Sequence, residues 1–193
     1  MDVKAVDRFG ETSLMKECRR GDLMSVKSLL ELGSSVNQQD IEGRSCIMWA
    51  AREGHYNIIK LLIERGADVN AESTEGRTAL MFAARNGYSD ACRVLLDAGA
   101  AINKKTKRGE TALMMAAETG RAHTVKLLIE RGATTHDTTS EGVTPLMMAC
   151  ANMKNDDRFK EIAKMLSKSI ADIFTTKVCL YIYSSLILLT SFP

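Results

Sequence analysis

The chain has 193 residues, with 26 Lys and Arg against 24 Asp and Glu, for a formal net charge of +2. So even a balance gives no bulk electrostatic drive toward nucleic acid. Hydrophobic residues at 45% suit a folded domain, and aromatics at only 5% favour small Ala-rich helices over a large aromatic core.

The dominant pattern is a period. Gly10, Gly43, Gly76, Gly109 and Gly142 stand 33 residues apart and open the segments G-E-T-S-L-M, G-R-S-C-I-M, G-R-T-A-L-M, G-E-T-A-L-M and G-V-T-P-L-M. A unit of this length is one supersecondary piece that cannot bury its own apolar face, so it must stack on its copies. Such stacks serve as binding surfaces. The period predicts a lead-in over 1–9, units over 10–42, 43–75, 76–108 and 109–141, a degenerate cap-like unit over 142–174, and an apolar tail over 175–193.

Within a unit the order is turn, short helix, stop, second helix, stop. Ser73-Thr74-Glu75-Gly76 is a turn cluster. Thr78 sits where a helix N-cap belongs, ahead of Ala79-Leu80-Met81-Phe82-Ala83-Ala84. Asn86-Gly87 stops that helix; a second runs through Ala91, Val94, Leu95 and Leu96 until Gly99. The first stop recurs as Gly21, Gly54, Gly87 and Gly120, the second as Gly33, Gly66, Gly99 and Gly132. Helices this short are marginal in isolation, so stability has to come from stacking.

The last unit departs from the pattern. Met153 stands in place of the stop glycine, the second-helix pattern resumes about five residues late at Ile162-Ala163-Lys164-Met165-Leu166, and Ile170 takes the later glycine's place. From Val178 to Pro193 there is no charge. As a helix this stretch would fall short of the roughly 30 Å hydrocarbon core. Three readings stay open: an apolar cap on the last unit, a C-terminal membrane anchor flanked by Lys164, Lys168 and Lys177, or a gene-model artefact. The first and third are favoured over the anchor.

The repeated positions carry a family likeness. Repeat two reads Ala50-Ala51-Arg52-Glu53-Gly54-His55 and then Leu61-Leu62-Ile63-Glu64-Arg65-Gly66-Ala67-Asp68-Val69-Asn70. This resembles the ankyrin-repeat T-P-L-H-x-A-A…G-H…V-x-x-L-L-x-x-G-A-D-V-N pattern, and the likeness covers residues 7 to about 174. The resemblance implies an all-α ankyrin-repeat solenoid of about five helix-turn-helix units joined by β-turn or hairpin loops, with a concave face built from turn tips and first helices. The chain departs from the family at the first-helix histidine, which is Met15, Met48, Met81, Met114 and Met147 here. Methionine cannot donate, so the position is expected to contribute packing alone.

No catalytic constellation is visible. His55, His123 and His136 lie at non-equivalent positions, and neither a P-loop nor a dinucleotide fingerprint occurs. The five cysteines (Cys18, Cys46, Cys92, Cys150, Cys179) form no C-x-x-C pair and read as buried thiols in a reducing compartment. With no apolar run at the N-terminus, a cytoplasmic or nuclear location is expected, or a C-terminally anchored one if the tail inserts. No enzyme activity, cofactor or metal is expected.

The positions the architecture leaves free carry the candidate interface. Arg19, Arg52 and Arg85 are equivalent in adjacent units, Arg44 and Arg77 run beside them, and the two rows switch to glutamate at Glu118 and Glu110. Trp49 and Phe82 form an aromatic pair on the first helices, and Lys107 and Arg108 lie at a turn tip. One reading makes these a groove for an acidic segment of another protein, with Trp49 and Phe82 as anchors. The other leaves the arginines solvated and packs the aromatics between repeats. A monomer binding one protein partner is the expectation. By resemblance alone, Asn70, with Leu62 eight residues before it, is a candidate for asparagine hydroxylation.

Overall fold

The computed structural model describes residues 5–152 and 157–169. Ten helices lie among the described residues, in five consecutive pairs: α1 (Ser13–Arg20) with α2 (Leu23–Glu31), α3 (Cys46–Glu53) with α4 (Tyr56–Glu64), α5 (Ala79–Asn86) with α6 (Ser89–Asp97), α7 (Ala112–Glu118) with α8 (Ala122–Glu130), and α9 (Pro145–Ala151) with α10 (Asp157–Ser169). Each pair packs as a helical hairpin. The first helices stack in chain order and so do the second helices, giving an all-α solenoid. Extended geometry is confined to isolated antiparallel bridges, Val6 with Thr12 and Gln39 with Ser45.

The first helices start where the sequence marks them. Thr12, Thr111 and Thr144 accept hydrogen bonds from the amides of Met15, Met114 and Met147 at 3.2–3.3 Å. Ser45 and Thr78 hold the same backbone position without a side-chain cap bond. Gly21, Gly54 and Gly87 end α1, α3 and α5 in the left-handed conformation. Ala50, Ala51, Ala83, Ala84, Ala116 and Ala117 are fully buried, which lets first helices approach closely. Met15, Met48, Met81 and Met114 are buried among them, the packing role expected where the family carries histidine.

Two contacts repeat from unit to unit and set the pitch. At the turn tips, a backbone amide donates to the carbonyl of the preceding tip: Ile41 to Phe9 at 3.1 Å, Thr74 to Glu42 at 2.9 Å, Lys107 to Glu75 at 3.0 Å and Ser140 to Arg108 at 2.9 Å. Gly43 lies so near the next tip that a Cβ would sit 2.8 Å from the Thr74 nitrogen. Each turn is held from inside by an oxygen three residues before its glycine. Asp7, Asp40, Ser73, Thr106 and Thr139 accept from amides two or four residues on.

On the opposite side, the residue after each first-helix stop covers the stop glycine of the unit before. His55 lies over Gly21, Tyr88 over Gly54, Arg121 over Gly87 and Phe159 over Gly120. Phe159 comes 38 residues after Arg121 instead of 33, which places the five-residue lag of the last unit between α9 and α10. The positions of Met153 and Ile170, and the tail over 175–193, lie outside the described residues.

Gly43 and Gly66 share a positive φ, +71° and +82°, yet only Gly43 has backbone beside its missing Cβ. Alanine at either costs about 1–2 kcal/mol for the left-handed backbone. At Gly43 the clash with Thr74 adds to this. Gly43→Ala is therefore expected to melt clearly below Gly66→Ala in a thermal unfolding comparison; equal melting temperatures would remove the tip ladder from the list of stability determinants.

Candidate protein interface

The turn tips and first helices share one side of the stack, and two clefts open along it. The larger, about 240 Å³, is lined by Arg44, Arg52, Arg77 and Phe82 together with Glu42 and Glu75. The smaller, about 180 Å³, is lined by Arg77, Lys107, Arg108 and Glu110 together with Glu75 and Thr106. The second set is the first advanced by one 33-residue unit, apart from Arg85 and Met115, which do not reach it. Repetition of sequence thus becomes repetition of shape. The chemistry inverts, however: Glu75 at the tip and Arg77 inside become Arg108 at the tip and Glu110 inside.

Trp49 does not project as an anchor. Its ring is 5% exposed. Three guanidinium groups lie over it, with carbons 4.8 Å (Arg19), 4.3 Å (Arg44) and 5.3 Å (Arg52) from the ring centroid. Each such contact is worth about 0.5–1 kcal/mol where exposed and more where desolvated. The Trp49 indole nitrogen is buried without a hydrogen-bond partner. Of the two readings of the aromatic pair, Trp49 has the packed place, as the floor under an arginine cluster, while half-buried Phe82 lines the cleft.

Ion pairs sort the expected charge rows. Arg19 pairs with Glu11 at 3.0 Å. Arg44 pairs with the fully buried Asp40 carboxylate at 2.8 Å and with Glu42 at 2.7 Å. Arg77 pairs with Glu75 at 3.2 Å, and its Nε is buried without a partner. Arg52 reaches only its neighbour Glu53, at 3.8 Å. Arg85, Lys107, Arg108 and Glu118 are exposed and form no ion pair among the described residues. Of the two arginine rows, Arg19, Arg44 and Arg77 are therefore held by close carboxylates, Arg52 by the Trp49 ring and a long contact to Glu53, and Arg85 by neither.

Asn70 has a structural task. Its amide nitrogen donates to the Gly99 carbonyl at 3.2 Å, and its oxygen accepts from the Ala101 amide at 2.8 Å. Asn37 makes the same pair of bonds to Gly66 and Asp68, and Asn103 accepts from Thr134. These amides tie each unit to the next, so a modifying enzyme reaching Asn70 must first break both bonds.

The buried Asp40 grip on Arg44 is a feature that sequence reasoning missed. Its signal was present as the oxygen-bearing side chain recurring three residues before each turn glycine.

The buried thiols of Cys18 and Cys92 are held in their protonated form. Burial pushes the Cys92 thiol up to about 12. The Cys18 thiol is pushed up as well, chiefly by its hydrogen bond with Cys46 and then by burial. A raised thiol stays protonated and unreactive at neutral pH. Among the described residues no three His, Cys, Asp or Glu side chains gather as metal ligands, and no helix is long and apolar enough to cross a membrane.

Helical hairpins stacked at a constant pitch, with a repeated cleft on one side, define a solenoid repeat protein. A family model described as ankyrin repeats in three copies matches residues 14–106 and again 80–177, so the chain belongs to the ankyrin-repeat family. Ankyrin repeats are generally protein–protein interaction modules and typically non-catalytic. No curated protein matches the chain.

Two outcomes follow from this geometry. Asn70→Ala removes two inter-unit hydrogen bonds, expected to cost roughly 1–2 kcal/mol and to lower the melting temperature by about 2–8 °C, read by circular dichroism. Alkylation of the folded protein at about pH 8 is expected to spare Cys18 and Cys92, whose raised thiols stay protonated there, and Cys46, which is shielded from solvent. Peptide mass spectrometry showing rapid native labelling of those three would contradict their burial.

Proposed function

We propose that the chain is a non-catalytic protein-binding module, an adaptor or scaffold, that takes another polypeptide along its concave face. The observation that carries this reading is the pair of clefts repeated one unit apart on the side of the turn tips and first helices. Each is lined by charged side chains and closed at its base by packed helix. Arg52 and Arg85 supply positive charge not consumed internally, which suits an acidic stretch of the partner. Arg19, Arg44 and Arg77 support that surface from below, through Trp49 and their own carboxylates. The module acts as a monomer in the cytoplasm or nucleus, where buried free thiols persist.

Affinity capture from cells, quantified by mass spectrometry, tests this. The full chain is compared with Arg85→Glu, whose side chain makes no ion pair or ring contact, and with Lys126→Glu on the exposed face of α8. Arg85→Glu is expected to lose captured partners by about fivefold or more while melting like the parent. Lys126→Glu should keep them. Equal recovery by both variants would overturn the assignment of this face.

A further inference from the structure

Besides Lys107 and Arg108 at the fourth turn tip, the exposed charges on the binding side include one ordered row at the ends of the first helices. Arg52, Arg85 and Glu118 stand 33 residues apart, in the last turns of α3, α5 and α7, and all three are exposed. Arg52 lies over the Trp49 ring and has a long 3.8 Å pair with its neighbour Glu53, and the other two have no ion pair among the described residues. Along the stack this row reads plus, plus, minus. The inner turn row repeats the same order one step away, as Arg44, Arg77 and Glu110.

Resting on the protein-binding reading above, we infer that the partner segment is extended and carries its charges in a fixed order: two acidic residues over α3 and α5, then a basic residue over α7. The spacing follows from geometry. Packed helices lie about 8–10 Å apart, and an extended chain rises about 3.3 Å per residue. Three residues therefore advance one unit, and the ligand pattern is acid-x-x-acid-x-x-base. The two clefts support an extended chain because they lie one unit apart, offering a side-chain recess at successive advances. A helix would need about seven residues to cover the same distance.

Order, more than total charge, is what this row selects. A segment of the same composition with its middle and last charges exchanged sets a basic residue against Arg85 and an acidic one against Glu118. Like charges opposed in this way oppose binding at the same positions that favour it in the correct order. The net charge of the segment is identical in both cases, so any difference between them belongs to the register.

Fluorescence anisotropy with labelled peptides tests the inference on the full chain at low salt. An acid-x-x-acid-x-x-base peptide, made in both chain directions, is compared with acid-x-x-base-x-x-acid on the same neutral background. At least one direction of the ordered peptide is expected to bind about tenfold tighter than the exchanged one. Glu118→Arg should shift the preference to a peptide with acid at all three positions, with the melting temperature unchanged. Equal affinity for ordered and exchanged peptides, or no shift with Glu118→Arg, overturns the inference. If that happens while cellular capture still depends on Arg85, the ordered ligand is wrong and the protein-binding reading stands. If capture is also indifferent to Arg85, the reading itself falls.

Discussion

The stack depends on one contact: the amide of each turn tip donating to the carbonyl of the tip before it. Four such bonds, from Ile41, Thr74, Lys107 and Ser140, tie five turns into a single ladder. They form only because glycine at the neighbouring position removes a Cβ that would meet the next tip's backbone. A hydrogen bond of this kind is worth about 1 kcal/mol net, which is modest. Its importance is positional. Short helices cannot hold themselves, and a ladder that repeats without slippage forces every unit to present equivalent residues in line. Asn37 and Asn70 do the same work at the second-helix ends, which fixes the pitch at both edges of the hairpins.

Once pitch is fixed, a row of side chains is an addressable surface, and competition for each charge decides what the surface offers. Asp40 is fully buried and would be costly to leave ionised without partners. Two turn amides and the Arg44 guanidinium satisfy it, and Arg44 in turn lies on the Trp49 ring. That cluster is structural on both sides. Arg19 is drawn into it from α1 and Arg52 from α3. Two units farther along, α7 carries Met115 in Trp49's place and Glu118 in Arg52's, so no equivalent cluster can form there. The arginine cluster over an indole is consequently confined to the units around α3.

The period made most of this fold legible. Glycines at 33-residue spacing, threonine caps, alanine pairs and the late last unit each follow from local chemistry: left-handed backbone, an oxygen for an unpaired amide, and close helix approach. Phe159 over Gly120 shows that even the lag could be measured before any coordinates. What sequence could not supply was convergence. Trp49 and Phe82 hold equivalent positions on α3 and α5, so the sequence left both open as anchors or as packed rings, and only Phe82 lines a cleft. The burial of Trp49 comes from three arginines on different elements reaching one ring, a coincidence of rotamers that no spacing records. The same holds for the ion pairs that commit Arg19 and Arg77 while leaving Arg85 free.

The proposed discrimination by order rests on the surface being weak at every single point. An exposed ion pair contributes about 0–1 kcal/mol, so neither Arg85 nor Glu118 can hold a partner by itself. Several such pairs spaced at the pitch of the stack act together only if the ligand's charges match that pitch, and a mismatch at one unit subtracts from the others. The arginines held near Trp49 matter here as much as the free charges, since charges that moved to meet any ligand would erase the distinction. Preorganisation by the tip ladder and by the arginine-covered indole keeps the row in register before anything binds. On the proposed reading, specificity is a property of the repeat itself, written in which units keep arginine and which exchange it for glutamate.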